Sequence, residues 1–441
     1  MIFAPSLIWI STALLFFAPA VNLVWRGGTG YCFFALVALA LGAAIANRRT
    51  PGYFHALRAY PWYTAGMVTY VVVLIAQQLL LGYWMPRQFD PLSRFVFALP
   101  LFLLLRRFPS RNLRIVGWGC AAGAFGAGMW ALLDQMRGGL TDASRLNNYY
   151  TNAIPFGDTA LLLAFLAIFT LGWDGRRDWR VLSLKLLALV AGGYASYLSG
   201  SRGGWLAIPV FVVLLGVQFH WFAQKKRLAV AALALVICGA ALLSTQRVTT
   251  RVEAATSDLV ALRHGNDNTS TGLRLQLWQA SWQLFVDHPL YGVGKGRLVT
   301  ALGDMAKRGE AKAEIVNERA HSDFFSTIAE TGAIGTVCLV LLYFSLSVYF
   351  WRNRRSTDPA IRAAAYSGLA VSFSTVIFGL TIDVLVPVMV TALLALLSAT
   401  FLAMIDARKR ELSVQASTSA STPAPVEALA RAASSSREQH G

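Results

Sequence analysis

The sequence is poor in charge and poorer still in acid. Of 441 residues only 14% are charged, with 22 Asp and Glu against 39 Lys and Arg. A soluble domain carries about 25% charged residues, so an ordinary soluble globular class is excluded. Cysteine is scarce. Cys32, Cys120, Cys238 and Cys338 all lie inside apolar runs, and none forms a CxxC or CxxxC pair. Neither a disulfide framework nor a zinc site is indicated. There is no HExxH, no Asp-x-Asp, no P-loop and no Rossmann fingerprint, so neither a metal nor a nucleotide cofactor is implied. Short alternating segments of about ten residues, the mark of a membrane barrel, are missing, as is any repeat of solenoid period.

What the chain has instead is apolar length. Hydrophobic residues make up 56% of it, and runs of about 18 residues or more, each long enough to cross a bilayer, recur along it. Backbone groups in lipid are satisfied within their own segment, so the spans are expected to be helices. The reading is an all-α polytopic membrane protein of about twelve transmembrane helices with one large, partly helical loop on the outer face. The spans fall near 4–24, 29–46, 62–84, 92–106, 114–133, 155–173, 181–199, 204–221, 228–245, 323–350, 361–382 and 384–405. Helices 1–9 thus occupy 1–245, the loop 246–322, helices 10–12 the stretch 323–405, and a tail 406–441. The tail is rich in Ala, Ser and Pro beyond residue 413, cannot bury a core and reads as disordered. Ala18-Pro19-Ala20 resembles a signal cleavage site, but the basic n-region is missing, so residues 1–25 read as a retained first span.

The net charge of +17 would suggest nucleic acid in a soluble protein. Here the cations sit at span ends, in clusters after every second span: Arg48 and Arg49; Arg106, Arg107, Arg111 and Arg114; Arg176, Arg177 and Arg180; Lys225, Lys226 and Arg227; Arg352, Arg354 and Arg355; Arg408, Lys409 and Arg410. They act as topology signals, and the positive-inside rule makes these loops and both termini cytoplasmic. No nucleic acid partner is expected. The segments 85–91, 134–154, 200–203, the long loop and the turn at Asp383 then face out.

Within the long loop, residues 272–286 have helix length, with Leu273, Leu277, Ala280 and Leu284 on one stripe widened by Trp278, Trp282 and Phe285. The run ends at Asp287-His288-Pro289 and the turn glycines Gly292, Gly294 and Gly296. This face is rich in basic residues, and for the loop as a whole solvated surface charge is the plainer reading.

Particular residues stand out from that background. Arg202 lies in Ser199-Gly200-Ser201-Arg202-Gly203-Gly204, between two spans with almost no loop. An arginine at a membrane boundary snorkels or functions, and its fork matches phosphate oxygens. Arg145 lies on the same face. Arg274 falls in the first turn of the loop helix after Thr269, Ser270 and Thr271. A cation there opposes the helix dipole, and a bound anion would relieve the conflict. Of six histidines, His264, His288 and His321 face out. His288, before a proline in a turn, reads as structural. His321 sits in Ala320-His321-Ser322-Asp323 at re-entry to the membrane and is the candidate proton acceptor. Glu330, about two turns into that span, and Asp383, between the last two spans, are supporting candidates.

These pieces resemble the O-antigen ligase family, within the broader group that includes O-antigen polymerases. The likeness rests on Ser199-Gly200-Ser201-Arg202-Gly203, on the Arg274 helix running to His288-Pro289-Leu290-Tyr291-Gly292-Val293-Gly294, and on Ala320-His321-Ser322-Asp323 followed by Glu330-Thr331-Gly332-Ala333-Ile334-Gly335. Ser322 stands where many members carry Asn. The resemblance implies an inner-membrane enzyme with its active site at the periplasmic face, which makes the large outer loop a periplasmic loop. It would transfer polysaccharide from undecaprenyl diphosphate to a sugar hydroxyl of lipid A–core, without metal or nucleotide and with inversion. It also implies that His321 is the general base and that Arg202 and Arg274 hold the diphosphate. An O-antigen polymerase or a protein O-oligosaccharyltransferase would use the same donor. A transporter is a further class, often marked by paired broken half-helices and internal symmetry; neither is visible in the sequence.

Overall fold

The computed structural model describes residues 4–138, 144–173, 178–224 and 269–421, with scattered positions between 225 and 268. The expected span at 228–245, the cations Arg176, Arg177, Lys225 and Arg227, Cys238, most of the early loop and the tail beyond 421 lie outside the described residues. The elements are all helical: α1 (Pro5–Ala20), α2 (Gly28–Ala46), α3 (His55–Ala59), α4 (Pro61–Leu80), α5 (Asp90–Leu105), α6 (Ser110–Leu113), α7 (Ile115–Met136), α8 (Ala153–Phe169), α9 (Trp179–Ser199), α10 (Arg202–Trp205), α11 (Ala207–Gln218), α12 (Ser270–Asp287), α13 (Leu298–Lys307), α14 (Asp323–Phe344), α15 (Ser347–Asn353), α16 (Pro359–Gly379) and α17 (Val388–Ser421). Among the described residues there is no strand, only an isolated bridge between Asn148 and Thr151.

Among the described residues seven helical segments are long and apolar enough to cross a membrane: Gly28–Ala46, Pro61–Leu80, Ser110–Met136, Trp179–Ser199, Asp323–Asn353, Pro359–Gly379 and Val388–Thr418. Pro5–Ala20, Ala153–Phe169 and Arg202–Gln218 are apolar but shorter. Turns leave these apolar runs shorter than a full span, and the expected span at 228–245 lies outside the described residues, so the seven are not a count of all the spans expected. The last helix runs to Ser421, past the expected span end at 405. Arg408 holds it on that side, pairing with Asp358 at 2.9 Å and with Glu411 at 3.1 Å.

α8, α16 and α17 form the buried centre, and the other helices surround them. Small residues set the close approaches, as expected where lipid supplies no hydrophobic drive between helices. Gly119 and Gly123 lie against the backbone of Phe16 and Pro19 of α1, where an added Cβ would come within 2.4 and 2.3 Å of a carbonyl oxygen. Gly192 of α9 likewise admits the backbone of Ala160 of α8.

Contacts between loops sort by end. At one end Arg106 pairs with Asp406 at 2.8 Å, Ser110 meets Glu411, and Arg408 pairs with Asp358. At the other end the segments near 77–90, 145–152, 200–204, 288–296, 320–323 and 380–387 meet one another. The alternation of basic loops along the sequence predicts this grouping.

One span is broken, which the sequence reading did not foresee. Gly332 in α14 has φ 62° and ψ −158°, far from helical. The loop segment 289–294 fills the break. Ala333 and Ile334 donate to the carbonyls of Pro289 and Leu290, and Val293 and Gly294 donate to those of Ala329 and Glu330. The freed backbone groups are therefore met by protein backbone, the condition for an irregular segment at membrane depth. Side chains would block this contact: a Cβ on Gly332 would lie 2.5 Å from the Leu290 carbonyl, and one on Gly292 2.5 Å from that of Ala329. Gly292, Gly294 and Gly296 also hold positive φ, which glycine adopts at little cost.

Candidate active site

The clasp at Gly332 fixes the loop subdomain on the bundle. Gln77 of α4 strengthens it, donating through Nε2 to the carbonyls of Tyr291 at 2.5 Å and Glu330 at 2.7 Å. Next to it Lys295 Nζ lies 2.5 Å from Glu330 Oε2, and Gly296 N–H donates to Glu330 Oε1 at 3.0 Å. Glu330 is therefore engaged with the loop. Burial works against the charge of Lys295, but Glu330 beside it, with Tyr70, more than offsets this and holds the ammonium above its ordinary value.

From the clasp the loop builds a small core of Leu277, Leu284, Leu298, Leu302, Met305 and Ile315 that also covers Ala329. The expected helix at 272–286 is α12, Ser270–Asp287, with Leu277, Ala280 and Leu284 buried. Thr269 caps it, accepting from Gly272 N–H at 3.1 Å. Trp278 faces the spans. Its Nε1–H donates to the Ala320 carbonyl at 2.9 Å, and its ring stacks on Phe325 with centroids 4.8 Å apart. Arg274 lies one turn before Trp278, on the same side of the helix. It is half-buried, and burial lowers its pKa. Among the described residues no hydrogen bond or ion pair reaches it.

His321 follows Ala320 directly. It has φ 50°, a left-handed conformation that non-glycine residues adopt sparingly and that clusters at functional sites. Ser322, at the N-cap position of α14, donates through Oγ to the Gly379 carbonyl at 3.3 Å. The imidazole is about one-third exposed, with Nε2 3.8 Å from Glu318 Oε2.

Arg202 opens α10 and is exposed. Gly200 ends α9 with φ 62°, so the chain reverses there. Arg145 caps that end, donating through Nε to the Ser199 carbonyl at 3.2 Å and through Nη2 to that of Gly200 at 2.8 Å. A cation suits a helix C-terminus, so Arg145 shapes the turn carrying Arg202. The turn packs against α16's end: a Cβ on Gly203 would meet Thr381. Gly379 and Thr381 thus lie between the Ser322 side and the Arg202 side of the site.

Asp383 is buried and accepts from Ser326 Oγ at 2.5 Å. It lines a cavity of ≈ 430 Å³ together with Glu330, Lys295, Asp323 and Tyr70. The structure therefore brings Glu330 and Asp383 into one cavity. His321 stands between two lining residues, Arg319 and Asp323, in the chain, while Arg145, Arg202 and Arg274 lie outside the lining.

Besides Lys295, sequence reasoning did not single out Asp158 or Asp323 as site residues. Asp158 of α8 is buried and accepts from Ser201 Oγ at 2.5 Å, and Gly204 leaves room for its carboxylate, where a Cβ would lie 2.1 Å from Oδ1. Asp323, also buried, accepts from Tyr343 Oη at 2.5 Å and from Leu385 N–H at 3.3 Å. An ionisable residue within an apolar run was the available signal for Asp158.

Residues 187–340 match the model of a family described as O-antigen ligase. A Haemophilus influenzae protein described as uncharacterized is 27% identical over 289 residues, covering 64% of this chain and 71% of its own length. The matched segment holds the Arg202 turn, the helix of Arg274, His321 and the break at Gly332. Over that segment the chain is similar to the O-antigen ligase family.

Proposed function

We propose that this chain is an inner-membrane O-antigen ligase. It would span the membrane about twelve times with both termini in the cytoplasm and carry the 246–322 loop in the periplasm. It would move O-antigen polysaccharide from undecaprenyl diphosphate to a sugar hydroxyl of lipid A–core. The observation that carries the reading is the Trp278–Ala320 hydrogen bond, which registers the helix of an unpaired, half-buried Arg274 against the turn that presents His321.

In this mechanism His321 takes the proton of the acceptor hydroxyl. The oxygen attacks the anomeric carbon from the side opposite the diphosphate. A new C–O bond forms, the old one breaks, and its electron pair leaves on the diphosphate, so the configuration inverts. Arg202 and Arg274 stabilise the charge that develops on the leaving group. A diphosphate is a competent leaving group without metal or nucleotide. The burial of Arg274 suits this role, because a desolvated guanidinium without a partner gains most from an incoming anion.

A single broken helix does not argue for transport. The break at Gly332 is filled by the loop's own backbone, whereas transporter sites leave half-helix ends open to an ion or substrate.

The test uses purified protein in nanodiscs, with lipid-linked glycan supplied with and without lipid A–core. Product only with lipid A–core is expected. Replacing His321 by Ala should lower transfer about 10²–10⁴-fold in protein of wild-type stability. Full activity in that variant removes the base assignment. Longer lipid-linked chains without lipid A–core would make the protein a polymerase, and glycosylation only of a Ser- or Thr-bearing protein would make it a protein O-oligosaccharyltransferase.

A further inference from the structure

The ≈ 430 Å³ cavity is of a size that holds small ligands, about 300–1,000 Å³, and its lining mixes charged and hydroxyl groups with apolar side chains such as Leu92, Leu298 and Leu385. Its buried wall carries Asp323 and Asp383. Its exposed rim carries Arg87 and Arg319. Neither arginine has an ion-pair partner among the described residues. The cations expected to hold a diphosphate, Arg202 and Arg274, do not line this space. The cavity therefore lies next to the His321 turn, through Arg319 and Asp323, and apart from those two cations.

Its chemistry selects a polyhydroxylated ligand. A carboxylate accepts from two neighbouring hydroxyls, and a guanidinium donates a fork to hydroxyl or ring oxygens. A lipid tail would leave these groups unsatisfied. A bare anion would face Asp323 and Asp383. A sugar uses both kinds of group.

We propose that this cavity is the acceptor-sugar site, with Arg87 and Arg319 gripping the saccharide at the rim and the acceptor hydroxyl turned toward His321. This rests on the transferase reading above and adds where the acceptor sits. The Lys295–Glu330 pair forms part of the wall and keeps the rim supplied by the loop in register with the spans.

The test uses the full chain in nanodiscs and two probes free of lipid, the core oligosaccharide and the O-antigen repeat oligosaccharide. Saturation-transfer NMR reads saccharide binding, and initial rates read the KM of donor and acceptor separately. The Arg87→Ala/Arg319→Ala double variant should lose the saturation transfer and raise the acceptor KM at least tenfold while the donor KM stays put. Lys307→Ala, on the exposed face of α13, should change neither. Wild-type rates for acceptor in the double variant, a rise confined to the donor KM, or wild-type protein that binds neither probe would overturn the proposal. If no transfer occurs but saccharide binding depends on Arg87 and Arg319, the site stands and the ligase reading falls. If transfer occurs and the double variant leaves it unchanged, the ligase reading stands and the site falls.

Discussion

Trp278 Nε1 lies 2.9 Å from the Ala320 carbonyl oxygen, so a helix of the loop is bonded to the residue next to His321. The stack on Phe325 holds the same pair from the other side. Arg274, one turn earlier, takes its position from this joint. Trp278→Phe keeps a ring on Phe325 but removes the donor, a loss of about 1 kcal/mol, and should lower kcat/KM roughly fivefold. Trp278→Ala removes both contacts, and the resulting misplacement should cost about 10²-fold. Steady-state rates on protein checked by thermal unfolding decide the matter. A Trp278→Ala enzyme with wild-type kcat/KM would sever the link between α12 and the chemistry.

Arg274 should separate stability from activity. A half-buried guanidinium without a partner destabilises the empty protein, because burial lowers its pKa with nothing to offset it. Arg274→Met keeps the stem's volume and drops the charge. It should raise unfolding stability by roughly 0.5–2 kcal/mol and abolish most transfer. Arg274→Lys should restore part of the activity only, since a point charge does not reproduce the fork. If Arg274→Met unfolds more easily than wild type, the residue is structural and the diphosphate assignment weakens.

The membrane class and the candidate residues at the span boundaries were legible in the sequence, because both are written in local pattern. Apolar runs mark the spans, cations at alternate span ends mark which loops share a side, and Leu277, Ala280 and Leu284 mark the loop helix. Arg202, His321 and Arg274 stood out because a charge or imidazole at a boundary is unusual. The break at Gly332 was not legible. A single glycine in an apolar run is common, and only the backbone of residues 289–294, some forty positions away, turns it into a non-helical joint. For the same reason Lys295 passed as one surface cation among many until its contact with Glu330 appeared. Arg145 showed as a charge on the right face, but its capping of Ser199 and Gly200 depends on tertiary approach.

Asp158 should act on the reaction through Arg202. Its Oδ1 receives Ser201 Oγ–H, and Ser201 is the residue before Arg202. Asp158→Asn preserves an acceptor oxygen and should keep most activity. Asp158→Ala removes a hydrogen bond to a charged-type acceptor, worth about 1.5–3 kcal/mol, and should raise the donor KM at least tenfold with the acceptor KM unchanged. Separate KM values for the two substrates are the readout, because a general loss of structure would move both. Equal rises in both values would leave Asp158 a packing residue.

The Lys295–Glu330 pair should matter more for register than for net stability. Its side chains are only 15% and 10% exposed at an Nζ–Oε2 distance of 2.5 Å. Removing one partner strands the other, which costs about 3–5 kcal/mol for a buried pair. Lys295→Met and Glu330→Gln should each destabilise on that scale, and the double variant should lose much less than the sum. The sign with pH follows from Lys295, whose native value is raised above the unfolded one by Glu330 despite burial. Its contribution is complete below the unfolded lysine value, about 10.4, and fades as pH climbs through the higher native value. The gap in unfolding midpoint between wild type and Lys295→Met should therefore be flat from neutral pH to about pH 9 and shrink only in stronger alkali. A double variant as stable as wild type yet slow in transfer would show what the ion pair is for: it holds residues 289–296 on the broken helix, and through them the loop that carries Arg274. A double variant that loses the full sum of the single effects would instead mean that the two residues act independently and that the backbone contacts at Gly332 hold the loop alone.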